Sequence, residues 1–248
     1  MPRVRHLRNA PITEAIFDFR VKAQPGFRAE GFADLKPQLA DRFPKTEDRH
    51  KWHASFEIIE GKGLPPALDD RGLHGYFFKD AEEKTVVQFR VDGFTFNRLH
   101  PYTSWNELFP LVLELWRLYS AVARPEVITR LAVRYINRIP IPVVPFEFAT
   151  YLRAAPVIPP ELPQNVSTFL TRVTISDSVK AVAAHIVQTL ESKANGLPPD
   201  ILFDVDAFKD GEYAIDSPLI VETFNRLRDF KNLIFFNCVT DEALRQFE

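Results

Sequence analysis

Three arginines recur at intervals of four residues near the middle of the chain, and their side chains are suited to binding anions. Arg130, Arg134 and Arg138 lie within Ile128–Ile139, a run rich in β-branched and aromatic residues in which apolar and polar positions largely alternate. Alternate side chains of a strand point to opposite faces, so the guanidinium groups of this arginine row would share one sheet surface. Guanidinium groups hold carboxylates and phosphates through paired hydrogen bonds. The arginine row therefore predicts an ion-paired or anion-binding surface.

Polar residues on other predicted strands extend this surface. If the apolar side chains of every strand face the helices, the polar side chains between them share the opposite surface, which we call the open face. The candidate ligand- or partner-binding residues on the open face are Arg90, Asn97, Arg130, Arg134, Arg138 and Arg172. The same pattern places beside them Glu14, Asp18, Arg20, Gln88, Thr95, Asp204 and Asp206. Two interpretations stay open: an ordinary solvated face with internal ion pairs, and a face that binds a ligand or partner.

Asp204 and Asp206, with Asp210, come closest to a metal site. Their carboxylates would lie on one strand face, and carboxylate oxygens suit a hard cation such as Mg²⁺. Alternatively, these acids face solvent or pair with Arg172 on a neighbouring strand. The sequence contains no phosphate-binding glycine loop, no Gly-x-Ser-x-Gly motif and no His-Glu-x-x-His motif. We therefore assign no catalytic residue, no metal site and no cofactor.

Two histidines and a cysteine are weaker candidates for chemistry. His50 and His53 would approach each other only in a helix, whereas Trp52 begins the alternation of a strand. Cys238, the single cysteine, lies in an apolar helical segment, where a thiol usually packs as a small hydrophobic side chain. One cysteine excludes an internal disulfide framework and suits a reducing compartment.

The strand that carries the arginine row has a counterpart near the N-terminus. Ile12–Ala23 aligns on Ile128–Ile139 without a gap, and the shapes of the side chains repeat. This likeness predicts an internal duplication whose two opening strands pair antiparallel, about a pseudo-twofold axis near Ile16 and Ala132.

The charges in these two strands invert while the shapes repeat. Glu14 aligns with Arg130, and Asp18 aligns with Arg134. Antiparallel pairing about the predicted axis would place Glu14 opposite Arg134 and Asp18 opposite Arg130. Opposite charges facing each other across strands are stabilising, so the inversion would let two similar halves join in one sheet.

A hairpin is predicted around Asp92–Gly93, because this dipeptide readily takes the positive φ angles of a two-residue turn. The resulting register opposes Phe89 to Phe96 and Gln88 to Asn97. The two phenylalanines would face the helices, and the two amides would lie on the open face.

The predicted helices and strands occur in a similar order in the two halves. The first half begins with a predicted strand over Thr13–Lys22, followed by a helix over Ala29–Phe43 that Pro37 either kinks or divides. Several strands and then a long helix capped by Ser104 follow. Trp116 and Tyr119 should lie in the core. The second half follows with strands at 128–139, 166–175, 179–189 and 201–208, a helix near 146–153, a long helix capped by Ser217, and a short one from Thr240.

These elements predict an α+β protein of two similar β-α-β(3-4)-α halves, residues 1–124 and 125–248, which can also form one continuous domain. Each half would pack an antiparallel sheet on a long helix. The element order resembles the TATA-binding-protein-like and helix-grip folds.

Three segments resemble a sporadically distributed bacterial family of uncharacterised proteins of similar length. They are the NAPI-x-EA motif over Asn9–Ala15, the span Phe89–Trp105, and the strand Arg134–Arg138. The resemblance covers nearly the whole chain and supports its boundaries. It implies no activity, cofactor or catalytic residue.

Composition narrows the classes of function. The formal net charge of -2 argues against a dedicated nucleic-acid-binding protein. The basic N-terminus is followed by no apolar segment, and no apolar run is long enough to span a membrane, which predicts a soluble cytoplasmic protein without membrane contact.

The leading hypothesis is a non-enzymatic intracellular binding or adaptor module. It would use the open polar face, or a cavity beneath a helix, to hold a partner protein or a small polar or anionic ligand. One alternative is nucleic-acid binding through a saddle-shaped sheet face. The other is a metal-dependent hydrolase that uses Asp204 and Asp206.

Overall fold

The computed structural model describes residues 7–55, 58–59, 62–63, 67–142, 146–164, 166–193 and 197–248, with only the backbone described between 53 and 69. The strands are β1 (Ile12–Lys22), β2 (Lys45–Ser55), β3 (Ile58–Ile59), β4 (Lys62–Gly63), β5 (Ala67–Lys79), β6 (Thr85–Arg90), β7 (Gly93–Leu99), β8 (Val127–Pro140), β9 (Leu170–Asp177), β10 (Val182–Glu191) and β11 (Asp200–Tyr213). The helices are α1 (Leu35–Leu39), α2 (Trp105–Ala123), α3 (Phe148–Tyr151), α4 (Leu219–Cys238) and α5 (Asp241–Arg245), and a 3-10 helix (Ala29–Asp34) precedes α1.

Nine strands form a single antiparallel sheet in the order β2-β5-β6-β7-β1-β8-β11-β10-β9, while β3 and β4 pair separately. The predicted α+β class with antiparallel strands is confirmed. The prediction of one sheet for each half is wrong, because β1 pairs with β8 at the centre and joins the strands of both halves. From this central pair the sheet runs outward through β7, β6, β5 and β2 on one side, and through β11, β10 and β9 on the other.

Both long helices pack on the same face of the sheet, where aromatic side chains form the core. The Phe17 ring lies 5.1 Å from that of Trp105 on α2 and 6.1 Å from that of Phe224 on α4. Phe19 stacks on Trp116 with 4.3 Å between ring centroids. Apolar residues alternate along β1, so its aromatic side chains all reach this helix-covered face. The predicted burial of Trp116 and Tyr119 in the core is confirmed.

Local sequence signals locate the starts of α2 and α5 correctly, whereas the predicted cap of α4, Ser217, lies one residue before the observed cap position, Pro218. The Ser104 hydroxyl oxygen accepts a hydrogen bond from the Glu107 backbone at 3.2 Å, which is the predicted cap of α2. Thr240 accepts from the Ala243 backbone at 3.1 Å at the start of α5. Of the two alternatives for Pro37, the structure shows the divided one, since a 3-10 helix ends at Asp34 and α1 follows it.

The turn between β6 and β7 differs from the predicted one. Its two turn residues are Val91 and Asp92, and Gly93 already pairs with Arg90 as the first residue of β7. A Cβ atom on Gly93 would lie 2.4 Å from the backbone oxygen of Phe19. Glycine is therefore needed for the close approach of β1 and not for a positive φ.

The changed turn moves the hairpin register by two residues, so Phe89 opposes Phe94 and not Phe96. A shift of two keeps every side chain on its face, because side chains alternate with a period of two. Phe89 and Phe96 are both fully buried on the helix-covered face. On the open face, Gln88 donates to the Asn97 side-chain oxygen at 3.2 Å. The predicted faces are confirmed although the predicted pairs are wrong.

The central pairing of β1 with β8 is antiparallel as predicted, and its register also differs by two residues. Phe17 opposes Val133, Asp18 opposes Ala132, and Glu14 opposes Ile136. The predicted opposition of Glu14 to Arg134 and of Asp18 to Arg130 is therefore wrong, although Asp18 and Arg130, now diagonal neighbours, still form an ion pair with 3.5 Å between Arg130 Nη1 and Asp18 Oδ2. The observed register places the apolar Phe17 and Val133, both fully buried, at the centre of the pair.

Candidate functional site

The arginine row lies on the open face as predicted, and its guanidinium groups contact carboxylates of β11. Arg130 donates from Nη2 to Asp206 Oδ2 at 2.8 Å. Arg134 contacts both oxygens of Asp204, at 2.9 Å from Nε to Oδ1 and 2.6 Å from Nη2 to Oδ2. The hydrogen bonds that Arg134 donates to Asp204 raise the pKa of the Arg134 guanidinium. The charge of both arginines is thus neutralised within the sheet.

The third member of the row is paired in the same way. Arg138 Nη1 lies 2.9 Å from Asp200 Oδ2 and 2.5 Å from Glu191 Oε2. The hydrogen bond to Asp200 is the main cause that raises the pKa of the Arg138 guanidinium. Each arginine of the row therefore has an acidic partner on β10 or β11.

The candidate residues of the first half on the open face also form hydrogen bonds and ion pairs. Arg90 donates to the Thr95 hydroxyl at 2.6 Å and lies 3.2 Å from Asp18 Oδ1, which also accepts from Thr95 at 2.7 Å. The Asn97 amide donates to Glu14 Oε1 at 2.6 Å. Of the two interpretations of the open face, this hydrogen-bonded network matches the solvated face with internal ion pairs, in which the polar side chains are partners of one another.

Arg172 is the exception among the six candidates. It is exposed on β9 opposite Val187, and in the described part of the chain it makes no ion pair or hydrogen bond. Its predicted pairing with Asp204 or Asp206 is wrong, because β10 separates β9 from β11 and both carboxylates already contact arginines of β8.

The residues considered for metal binding are held in other contacts. Among the described residues, no group of three or more His, Cys, Asp or Glu side chains is placed to hold a metal ion. His50 lies in a strand and contacts Asp70 at 2.8 Å, whereas the side chain of His53 lies outside the described residues. Cys238 is half-buried, and this burial raises the pKa of its thiol.

A partly enclosed site lies on the helix-covered face, where the sequence pattern predicts no candidate binding residue. A cavity of about 500 Å³, here called the α4 cavity, lies among the segment before β1, the start of α2, strand β8 and helix α4. The polar residues that line it and enter the argument below are Tyr102, Asn137, Arg228 and Lys231. Its apolar lining includes Trp105, Phe235 and Phe236. The cavity spans the junction between the two halves.

Lys231 is the unusual residue of the α4 cavity. It lies on the sheet-facing side of α4 and is only 7% exposed. Its Nζ atom lies 3.5 Å from the centre of the Tyr135 ring, and it makes no hydrogen bond or ion pair with any described residue. Burial, with a smaller effect from the charge of Arg228, lowers the pKa of the Lys231 amine to about 7.

Arg228 lies one helical turn before Lys231 and lines the same cavity. Its guanidinium carbon lies 5.2 Å from the centre of the Trp105 ring, a cation–π contact that leaves its N–H groups available. No Asp or Glu residue lines the cavity in the part of the chain that the structure describes. Arg8 lines the cavity as well, so three basic groups line it with no carboxylate among its described lining residues.

Two tyrosine hydroxyls complete the polar lining. The hydroxyls of Tyr102 and Tyr135 lie 2.8 Å apart, so one donates to the other and the second proton stays available to a ligand. Burial raises the pKa of both phenols, which keeps both protonated at neutral pH. Asn137 donates its amide to the backbone oxygen of Phe203 at 3.0 Å.

A sequence signal for this site existed in α4. Phe224, Leu227 and Ile234 follow helical spacing on the buried side, and Lys231 falls on that same side. A lysine on the apolar side of an amphipathic helix must either reach solvent or lie in a polar cavity. The pattern alone does not distinguish these outcomes, because the surroundings of the amine come from distant segments.

Comparisons with known proteins indicate no function for this chain. No family model matches the chain, and no curated protein sequence matches it. The resemblance to the sporadically distributed bacterial family stays a prediction. Within the described residues, no helix has the length and apolar character needed to cross a membrane.

Proposed function

We propose that the protein binds a small organic anion in the α4 cavity. The observation that supports this most strongly is the pair Lys231 and Arg228, two basic side chains that line the cavity with no carboxylate among its described lining residues. A buried charge without a partner is costly, so an anion that enters the cavity supplies the missing interaction. This hypothesis keeps the predicted class of function, a binding module, and moves its site from the open face to the cavity beneath a helix.

The lining of the α4 cavity indicates what kind of anion fits. A volume of about 500 Å³ lies within the range of small-molecule sites, which is roughly 300–1,000 Å³. Trp105, Phe235 and Phe236 provide an aromatic wall, whereas the cations and the tyrosine hydroxyls form the polar part. An anion with an aromatic or apolar body matches this lining better than a bare inorganic ion does.

The open face supports binding less well, because most of its candidate arginines already have acidic partners. A nucleic acid would have to displace the carboxylates of Asp204 and Asp206 from Arg134 and Arg130. The net charge of -2 opposes that exchange. A metal-dependent hydrolase would have to break the same ion pairs to free its ligands.

We also propose that the two halves arose by duplication and fold as one continuous domain. Three observations support this. Phe17 and Val133, which correspond in the gapless alignment, oppose each other in the central pair. The strand order is the same on both sides of that pair, apart from β2, which has no counterpart among the described residues. Each series of strands ends in a long helix on the same face.

Binding is tested with 8-anilinonaphthalene-1-sulfonate, an aromatic anion that fluoresces in apolar sites. Lys231→Met should raise its dissociation constant roughly tenfold or more, since a hydrogen bond to a charged group contributes about 1.5–3 kcal/mol. Lys180→Met, a change at an exposed turn residue away from the cavity, is the matched control. Equal affinity of the Lys231→Met variant and the unchanged protein would contradict the proposed site.

A further inference from the structure

The Lys231 amine has no hydrogen-bond or ion-pair partner among the described residues, and this is unusual for a lysine so deeply buried. It is 7% exposed, lies over the Tyr135 ring at 3.5 Å and faces the α4 cavity. A buried lysine held as a structural cation is normally paired with a carboxylate. An amine that is buried, unpaired and open to a cavity is the arrangement that lysine nucleophiles use.

We propose that Lys231 forms an imine with a ligand that carries both an aldehyde or ketone group and an anionic group. This inference rests on the proposed anion-binding function and specifies the chemical class of the ligand. Arg228, which also lines the cavity, would hold the anionic group through its free N–H groups, and Lys231 would meet the carbonyl carbon.

The reaction balances without an oxidant or a reductant. The lone pair of the neutral amine attacks the carbonyl carbon, a C–N bond forms, and the π electrons move to the oxygen. A proton passes from nitrogen to oxygen to give the carbinolamine. The C–O bond then breaks as the nitrogen lone pair forms the C=N bond, and the oxygen leaves as water with a second proton. The nitrogen gives up its remaining proton, so that in sum both amine protons end on the oxygen and a neutral C=N bond remains. Each imine formed therefore releases one water molecule.

The surroundings of Lys231 favour each of these steps. Burial and the positive charge of Arg228 lower the pKa of the amine to about 7, so a large share is neutral and nucleophilic at neutral pH. The Tyr102 and Tyr135 hydroxyls, 2.8 Å apart, keep one proton that is not used between them, which can hydrogen-bond to the carbonyl oxygen and polarise the bond that the amine attacks. The aromatic wall limits access of bulk water, which otherwise hydrolyses imines.

The test uses 4-formylbenzoate, which carries an aldehyde and a carboxylate on one aromatic ring. The full chain is incubated with this probe and sodium cyanoborohydride, which reduces an imine to a stable secondary amine. Peptide mass spectrometry then measures the labelling rate at every lysine. Lys231 should be labelled roughly tenfold faster or more than the exposed Lys180, because the cavity orients the probe.

Two matched compounds separate the parts of the inference. 4-Methylbenzoate has the carboxylate and the shape but no carbonyl, and it should slow labelling at Lys231 while leaving Lys180 unaffected. Benzaldehyde has the carbonyl but no anionic group, and its preference for Lys231 should be clearly smaller than that of 4-formylbenzoate. Arg228→Met should likewise reduce the preference of 4-formylbenzoate, whereas Arg226→Met, an exposed change on the same helix, should keep it.

The outcomes also separate this inference from the function on which it rests. If 4-methylbenzoate displaces 8-anilinonaphthalene-1-sulfonate but 4-formylbenzoate labels Lys231 no faster than Lys180, the imine is excluded and anion binding stands. If neither benzoate displaces the dye and Lys231 is not labelled preferentially, both proposals are wrong. Preferential labelling that 4-methylbenzoate suppresses supports both.

Discussion

The two faces of the sheet differ in whether their positively charged side chains contact carboxylates. On the open face, Arg130 and Arg134 each contact a carboxylate of β11 within 3 Å. On the helix-covered face, Arg228 and Lys231 line a cavity without any carboxylate among its described lining residues. The density of cations is therefore a poor guide to a binding site, and the presence or absence of acidic partners is a better one.

The difference has a cause in how each face is built. The open face consists of neighbouring strands, and an acid and a base on adjacent strands come within hydrogen-bonding distance whenever the register allows. The α4 cavity is instead formed where a helix crosses a strand and the start of another helix. Its cations are Lys231 and Arg228 on α4 and Arg8 in the segment before β1, and strand β8 contributes a tyrosine and an asparagine to the lining. The four predictions below test this contrast, in order of decreasing effect.

The largest effect should come from the core that supports the α4 cavity. Trp116 is 3% exposed and stacks on Phe19, so Trp116→Ala should lower the free energy of unfolding by about 3–5 kcal/mol. Urea denaturation measures this change. Trp52→Ala is the control, because Trp52 is 59% exposed and its removal should change stability by less than about 0.5 kcal/mol. Equal midpoints for the two variants would show that the helix-covered face is not the core.

Removing a cation from the open face should destabilise the protein. Arg130→Met leaves the carboxylates of Asp206 and Asp18 without their shared partner, and both are largely buried. We expect a loss of about 2–3 kcal/mol in the free energy of unfolding, as for a buried hydrogen bond to a charged group. Arg172→Met should change it by less than about 0.5 kcal/mol, since Arg172 is exposed. If the two variants are equally stable, the ion pairs of the open face contribute nothing.

Replacing a cation of the α4 cavity by methionine should change the free energy of unfolding in the opposite direction. Lys231→Met removes a buried amine that has no hydrogen-bond or ion-pair partner within the described part of the chain, so the ligand-free protein should gain at least about 1 kcal/mol. The pKa of the amine is lowered from 10.5 to about 7 in the folded state, so the unfolded chain binds more protons between these values. The stability of the unchanged protein should then rise with pH from about 7 to about 10, and the advantage of the variant should shrink.

Thermal denaturation of both proteins across this pH range measures the effect. A stability difference that does not vary with pH would mean that the amine is not held in its neutral form. Loss of stability in Lys231→Met would place this residue with the ion-paired cations of the open face and remove the contrast between the two regions.

The smallest effect concerns the contact between the halves on the open face. Arg130 Nη1 lies 3.5 Å from Asp18 Oδ2, whereas its hydrogen bond goes to Asp206 at 2.8 Å. A double-mutant cycle should therefore give a coupling of a few tenths of a kcal/mol for Asp18 with Arg130 and a larger one for Asp206 with Arg130. The reverse order would mean that the central strand pair, and not β8 with β11, carries the main ion pair.

The sequence by itself determined which side of the central strands and of α2 is buried. Alternation along β1 and β8 correctly predicted that Phe17 and Val133 face the helices and that the arginine row lies opposite, because the two-residue period of a strand is a local property. The same is true of the caps at Ser104 and Thr240, which depend on residues within one turn.

Only the tertiary structure decided the registers and the α4 cavity. The registers of the β6–β7 hairpin and of the β1–β8 pair both differ from the predicted ones by two residues. Such a shift leaves every side chain on the same face, so the alternation of apolar and polar residues cannot distinguish the two registers. The cavity brings Tyr102, Tyr135 and Lys231 together from segments far apart in the chain. Whether a buried lysine meets a carboxylate, an aromatic ring or a cavity depends on those distant segments, so no local pattern contains the answer.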